Sequence, residues 1–144
     1  GSVFRTSDGA GVRKLYLVGP TPLPFDRFGR VQPEIKKTSL GASDVVPWEH
    51  VGEAGSESRK ETLQLITDLQ TEGFTVVAIE QAPQAIFLTD FTRPEKVVYI
   101  FGHEVDGVPT EIQTACDQIV EIPMAGSKES LNVSVSAGII LFLR

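Results

Sequence analysis

Residues 122–138 read IPMAGSKESLNVSVSAG, and IILFLR follows them to Arg144. Ile122-Pro123-Met124 closes a strand-like run. Ala125-Gly126-Ser127 is a small-residue loop, and the rest turns from small and polar to solidly apolar. The alternation of Leu131, Val133 and Val135 looks like a strand, because residues two apart share a strand face. Ser and Asn ahead of an apolar run suggest instead a capped helix start. We read helix from about Glu129, with Ser130 or a neighbour as cap. Asn132 then falls in the first turn, where its amide can face a pocket. An ordinary capped core helix explains the same residues. A segment as apolar as IILFLR needs burial on several sides.

Working outward, apolar runs suited to strands recur at Leu15–Val18, Thr75–Ile79, Val97–Phe101 and Gln118–Ile122. Between them Glu57–Glu72 places Leu63, Ile66 and Leu69 on one helical face, with Gly73 as a stop. Pro109–Cys116 suits a short helix with Pro in its first turn. Strands alternating with helices predict an α/β domain with a mostly parallel sheet. Ligands in such sheets sit beyond the carboxyl ends of the strands. The segment after Val18, GPTPLPFDRFGRVQPEIKKTSLGA, is rich in Pro, Gly and basic residues and reads as a long loop, either a lid or a surface segment. Trp48 beside Pro47 reads as packing.

The chain has 144 residues, the size of one domain, so 1–144 is read as a single domain. One cysteine, Cys116, excludes an internal disulfide and fits a reducing, cytoplasmic setting. No apolar run approaches the roughly 18 residues of a membrane span, so no membrane partner is expected. His50 and His103 stand alone and give no metal-ligand spacing. Net charge is −6, yet residues 1–37 carry seven Lys or Arg against three acids. An acidic body with one basic region can bind a polyanion through that region.

A second loop follows the strand at Val97. It reads FGHEVDG, with Gly102, Glu104 and Gly107 as G-x-E-x-x-G. Glycines around an acid let a backbone fold tightly and a ligand approach closely; an ordinary strand-to-helix turn has the same look. Gly102 precedes Ile122 by twenty positions, and Ile122 precedes Leu131 by nine. With GSVFRTSD at the start, IFGHEVDG and IPMAGSKESLNVSVSAG resemble the three motifs of the SpoU (TrmH) branch of the SPOUT RNA methyltransferases. KTSLGA and VPWEH resemble its small, single-domain members. The resemblance covers most of the chain.

That resemblance implies a SPOUT-type α/β knot: a mostly parallel sheet flanked by helices, with a C-terminal deep trefoil. It implies S-adenosyl-L-methionine as cofactor, held bent by the knot loops, and a homodimer through the knot region. The expected activity is methyl transfer to a ribose 2′-hydroxyl of tRNA or rRNA. Cofactor contacts carry over to Gly102, Ile122, Met124 and Leu131, with Ile79 as a further wall. Backbone groups would read the edges of adenine while Ile122 and Leu131 clamp its faces. Arg5 matches the arginine of the first motif, as phosphate clamp or as base; a guanidinium suits the clamp readily and loses a proton very reluctantly. Glu104, Asn132 and Ser130 match polar positions expected to organise the pocket by hydrogen bonds to loop backbone, to Arg5 or to substrate.

The sequence departs from the family at its start. The Asn six positions before Arg5 and the strand before it would precede Gly1, so a truncated first strand is expected. The competing reading is therefore a catalytically impaired knotted module that dimerises or binds RNA. A generic dinucleotide-binding sheet lacks its G-x-G-x-x-G.

Overall fold

Runs rich in β-branched residues become strands, as their shape favours, and each pairs in parallel with its neighbours in a computed structural model of the chain. The structure describes residues 1–53 and 55–143. In chain order the elements are α1 (Ser2–Gly9), β1 (Leu15–Val18), α2 (Pro33–Ser39), α3 (Ala42–Val45), β2 (Trp48–Val51), α4 (Ser56–Thr71), β3 (Thr75–Ile79), β4 (Ile86–Phe87), a 3₁₀ turn (Leu88–Asp90), β5 (Val97–Phe101), α5 (Thr110–Ala115), β6 (Gln118–Glu121) and α6 (Val133–Phe142). The expected α/β class with parallel sheets and flanking helices is what forms. The chain divides into two compact units, residues 1–61 with 137–143, and residues 62–136.

In the first unit β1 and β2 pair with Leu15 opposite Trp48 and Val18 opposite Val51. A parallel pair needs a crossover, and α2 and α3 supply it. The segment expected as a long loop thus holds a helix. Pro33 sits in its first turn with Glu34, and Lys36 and Lys37 lie in its last. Pro suits the first turn, and these charges complement the helix dipole, which the basic composition had hidden. Lys36 pairs with Asp44. Phe4, Leu17, Ala42 and Val46 form the core, with Leu15, Leu23 and Trp48 packed against it. Trp48 therefore packs, as expected, and does so from a strand that its Pro47 and His50 neighbours did not announce.

In the second unit the sheet order is β4-β6-β3-β5. The middle strand β3 is buried on both faces: Val76, Val77 and Ala78 are fully buried, as is Val120 on β6. A near-continuous apolar run is the mark of such a strand. Asp117 braces its start, accepting the Val76 N–H at 2.7 Å while its own N–H donates to Val76 O at 2.9 Å. Within this unit α4 buries Thr62, Ile66 and Leu69 along one face.

Three expectations about the last segment change. The helix begins at Val133, not near Glu129. Asn132 is the cap rather than a first-turn residue: its Oδ1 accepts the Ser134 N–H at 2.8 Å and the Ser134 hydroxyl at 2.6 Å. Ser130 lies outside the helix. The apolar run is not buried all round either. Ala137 and Ile140 are buried, whereas Val135, Ile139, Phe142 and Leu143 are exposed. These four recur at helical spacing and form one stripe. Among the described residues no helix is long and apolar enough to cross a membrane.

Candidate active site

β3, β5 and β6 end at the same edge of the sheet, because they run parallel in register: Ile79 lies opposite Phe101 and Val120. The chain passes from β3 to the short edge strand β4, returns to β5 on the other side of β3, then crosses back to β6 between β4 and β3. A crevice opens where connections diverge in this way, beyond the carboxyl ends of the strands. Here it is a cleft of about 520 Å³, within the range of cofactor sites. Its walls come from the end of β3, the loop after β5 and the loop after β6.

The loop after β5 is built around its two glycines. A Cβ on Gly102 would run into the backbone of Gly107 and Val108. The close approach that Gly102 permits is thus the loop folding on itself. Gly107 has φ +67°, and a Cβ there would meet the Glu80 carboxylate. The turn between them is closed by the Gly107 N–H donating to His103 O at 2.8 Å, and the Val105 N–H reaches His103 Nδ1 at 3.1 Å. Glu80, just past β3, accepts the Val108 N–H at 2.8 Å and the Gln81 N–H at 2.9 Å. It ties the loop to the strand. Sequence reasoning passed over Glu80; its position one residue beyond a strand end in a parallel sheet was the available signal.

The cleft brings together Ile79, Gly102, Glu104, Ile122, Met124, Ser130 and Leu131. Ile79, Ile122, Met124 and Leu131 are half-buried there, giving apolar walls next to loop backbone. Glu104 is exposed at the tip of its turn and has no hydrogen-bond partner among the described residues. The acid that holds loop backbone is Glu80 instead. Asn132 is not among the lining residues, and its side-chain oxygen is engaged by Ser134. Arg5 is exposed on α1, in the first unit. Cys116 donates to Ile112 O at 3.2 Å, and burial followed by the Asp117 charge pushes its thiol up to about 11, so it is not a thiolate at neutral pH. No group of three or more His, Cys, Asp or Glu suited to hold a metal occurs among the described residues.

Comparison with known proteins agrees with this arrangement. Residues 1–142 match the model of the SpoU rRNA Methylase family. The 23S rRNA (guanosine-2'-O-)-methyltransferase RlmB of Pseudomonas putida is 34% identical over 143 residues, 99% of this chain and 51% of that protein. The TrmH/SpoU tRNA modifying enzyme of A. aeolicus superposes with a TM-score of 0.78 at 27% identity, over 98% of this chain and 64% of that one. The AdoMet-bound rRNA methyltransferase from Sinorhizobium meliloti gives 0.77 at 26%, over 98% and 48%. The chain spans about half the length of the curated relatives it matches. By motif, by sheet order and by these likenesses, the chain belongs to the SpoU rRNA methylase family.

Proposed function

We propose that this chain carries S-adenosyl-L-methionine-dependent methylation of a ribose 2′-hydroxyl in tRNA or rRNA, with residues 1–144 acting as one methyltransferase domain. The observation that supports it best is convergence: two motifs distant in sequence, together with the end of β3, line one cleft of cofactor size. The residues fit the cofactor. Ile79, Ile122 and Leu131 offer apolar surface to a flat base, and the backbone beside Gly102 and Met124 offers donors and acceptors to its edges. S-adenosyl-L-methionine supplies, when bound, an electrophilic methyl group on a sulfonium.

Arg5 is assigned to the phosphate beside the reacting ribose. A guanidinium holds phosphate through two parallel bonds, so it orients the 2′-hydroxyl and balances charge. Glu104, with no partner among the described residues, is assigned to substrate. Asn132 is assigned to hold the start of α6, and with it Leu131, against the cleft; Ser130 is assigned to the substrate side of the same loop. The chain after β5 is proposed to thread as the family's trefoil knot. The exposed stripe Val135, Ile139, Phe142 and Leu143 supports a homodimer through this region. A cytoplasmic location follows from the substrate class.

Calorimetry with S-adenosylhomocysteine should show one site per chain, and labelled cofactor with total RNA should yield a 2′-O-methylated nucleotide. Arg5→Ala should keep cofactor binding and lose transfer. Absence of cofactor binding by the folded protein refutes the reading; full activity of the Arg5 variant refutes that role. Ile139→Asp should halve the sedimenting mass, and an unchanged mass removes the dimer face.

A further inference from the structure

Between β1 and α2 the chain makes a tight hairpin. The Gln32 N–H donates to Pro24 O at 2.9 Å, the Asp26 N–H to Arg30 O at 2.9 Å, and Phe25 bridges Val31 in antiparallel fashion. Asp26 is used up inside the turn. Its Oδ1 accepts the Phe28 N–H at 2.8 Å and the Arg30 N–H at 2.9 Å, and its Oδ2 accepts Arg30 Nε at 2.7 Å. Hydrogen bonds from the Arg30 backbone and side chain, and from the Phe28 backbone, hold its carboxyl below the usual range.

This scaffold presents an aromatic ring to solvent. Phe28 is 67% exposed. The Arg27 and Arg30 guanidinium carbons lie 4.7 and 5.1 Å from its ring centroid. Among the described residues no carboxylate pairs with Arg27. A braced turn leaves two-thirds of a large apolar ring to solvent, and among the described residues the two cations around it pair with no acid beyond Asp26.

We propose that this hairpin is a contact for an unpaired RNA nucleotide, whose base stacks on the Arg27–Phe28–Arg30 platform while Arg27 meets the adjoining phosphate. The chemistry is specific to single strands. Aromatic and guanidinium planes stack on the faces of unpaired bases, which a duplex keeps covered. The charge of the surroundings agrees: Arg27 and Arg30 belong to the basic residues 1–37 of an otherwise acidic chain. The inference rests on the RNA reading above and adds to it a binding element separate from the cofactor cleft.

The test is fluorescence anisotropy of the full chain with a short labelled oligouridine and with an RNA duplex of equal length. Phe28→Ala should weaken oligouridine binding about tenfold, in line with the loss of one stacked base. Phe28→Trp should restore it, and melting temperature should stay constant in both. Arg27→Gln should reduce the single-strand salt slope by about 0.7. Wild-type binding unchanged in Phe28→Ala, or lost equally from the duplex, overturns the hairpin and leaves the RNA reading intact. A variant that changes sedimenting mass rather than RNA affinity assigns Phe28 to a second copy and also overturns it. Wild-type protein that binds neither RNA refutes the RNA reading itself, and the hairpin with it.

Discussion

Residues 102–109 and residues 123–131 line one cleft and are held in different ways. The first loop closes on itself through the His103–Gly107 bridge, is tied to β3 by Glu80, and has Val108 buried at 3% exposure. The second has no hydrogen bond of its own among the described residues, and most of it is exposed. Among the described residues its flanking hydrogen bonds lie in β6 and in the Asn132 cap. One wall of the site is therefore held by its own contacts. The other has its backbone donors and acceptors free, which is what a loop needs in order to spend them on a ligand. Free groups of this kind also leave a segment at the low end of local stability.

The largest effect should come from crowding the built wall. Gly102→Val drives a branched side chain into the Gly107–Val108 backbone and should cost about 3 kcal/mol in urea unfolding. A loss below about 1 kcal/mol would mean the loop is not closed as described. Next comes the tie to β3. Glu80→Ala strands the buried Val108 N–H and should cost about 2 kcal/mol, with faster hydrogen exchange at that amide. Glu80→Gln keeps an acceptor and should recover most of the loss; equal damage from both would point to charge rather than to the hydrogen bond.

The second wall should respond less. Asn132→Ala removes the helix cap and should cost about 1 kcal/mol, while Asn132→Ser should keep most of that stability. Should Asn132→Ser be stable yet inactive, Asn132 has a part in the chemistry beyond capping. Smallest of all, Gly126→Ala meets nothing within 4 Å and should fall within about 0.5 kcal/mol of wild type. The two walls are then compared directly by hydrogen exchange with S-adenosylhomocysteine. Protection should rise mainly across residues 123–131, and a rise confined to residues 102–108 would reverse the comparison.

Much of this was legible before the fold was known, for local reasons. Thr75–Ile79 and Val97–Phe101 are runs of β-branched and aromatic residues, and their bounds matched. Gly73 ended its helix as a C-terminal glycine should. The paired glycines of FGHEVDG marked a tight loop. α2 is hidden in a segment rich in loop-forming Pro and Gly, although Pro33 suits a helix start. The start of α6 was placed four residues early because Ser130 and Asn132 are both good caps, and only packing chooses between them.

By itself the sequence determined where β1, β3, β5 and β6 form, though not β2 or β4, where the backbone must turn, and which motifs this chain shares with a family of RNA methyltransferases. Those properties depend on side-chain shape and on residues close in the chain. The tertiary structure alone decided that β6 and β5 flank β3, and that Glu80 rather than Glu104 braces a loop twenty-eight residues away. It also decided that α6 turns an apolar stripe outward. Each depends on which distant surfaces come together in a shared core, and hydrophobic periodicity says only that a face is apolar, not what will cover it.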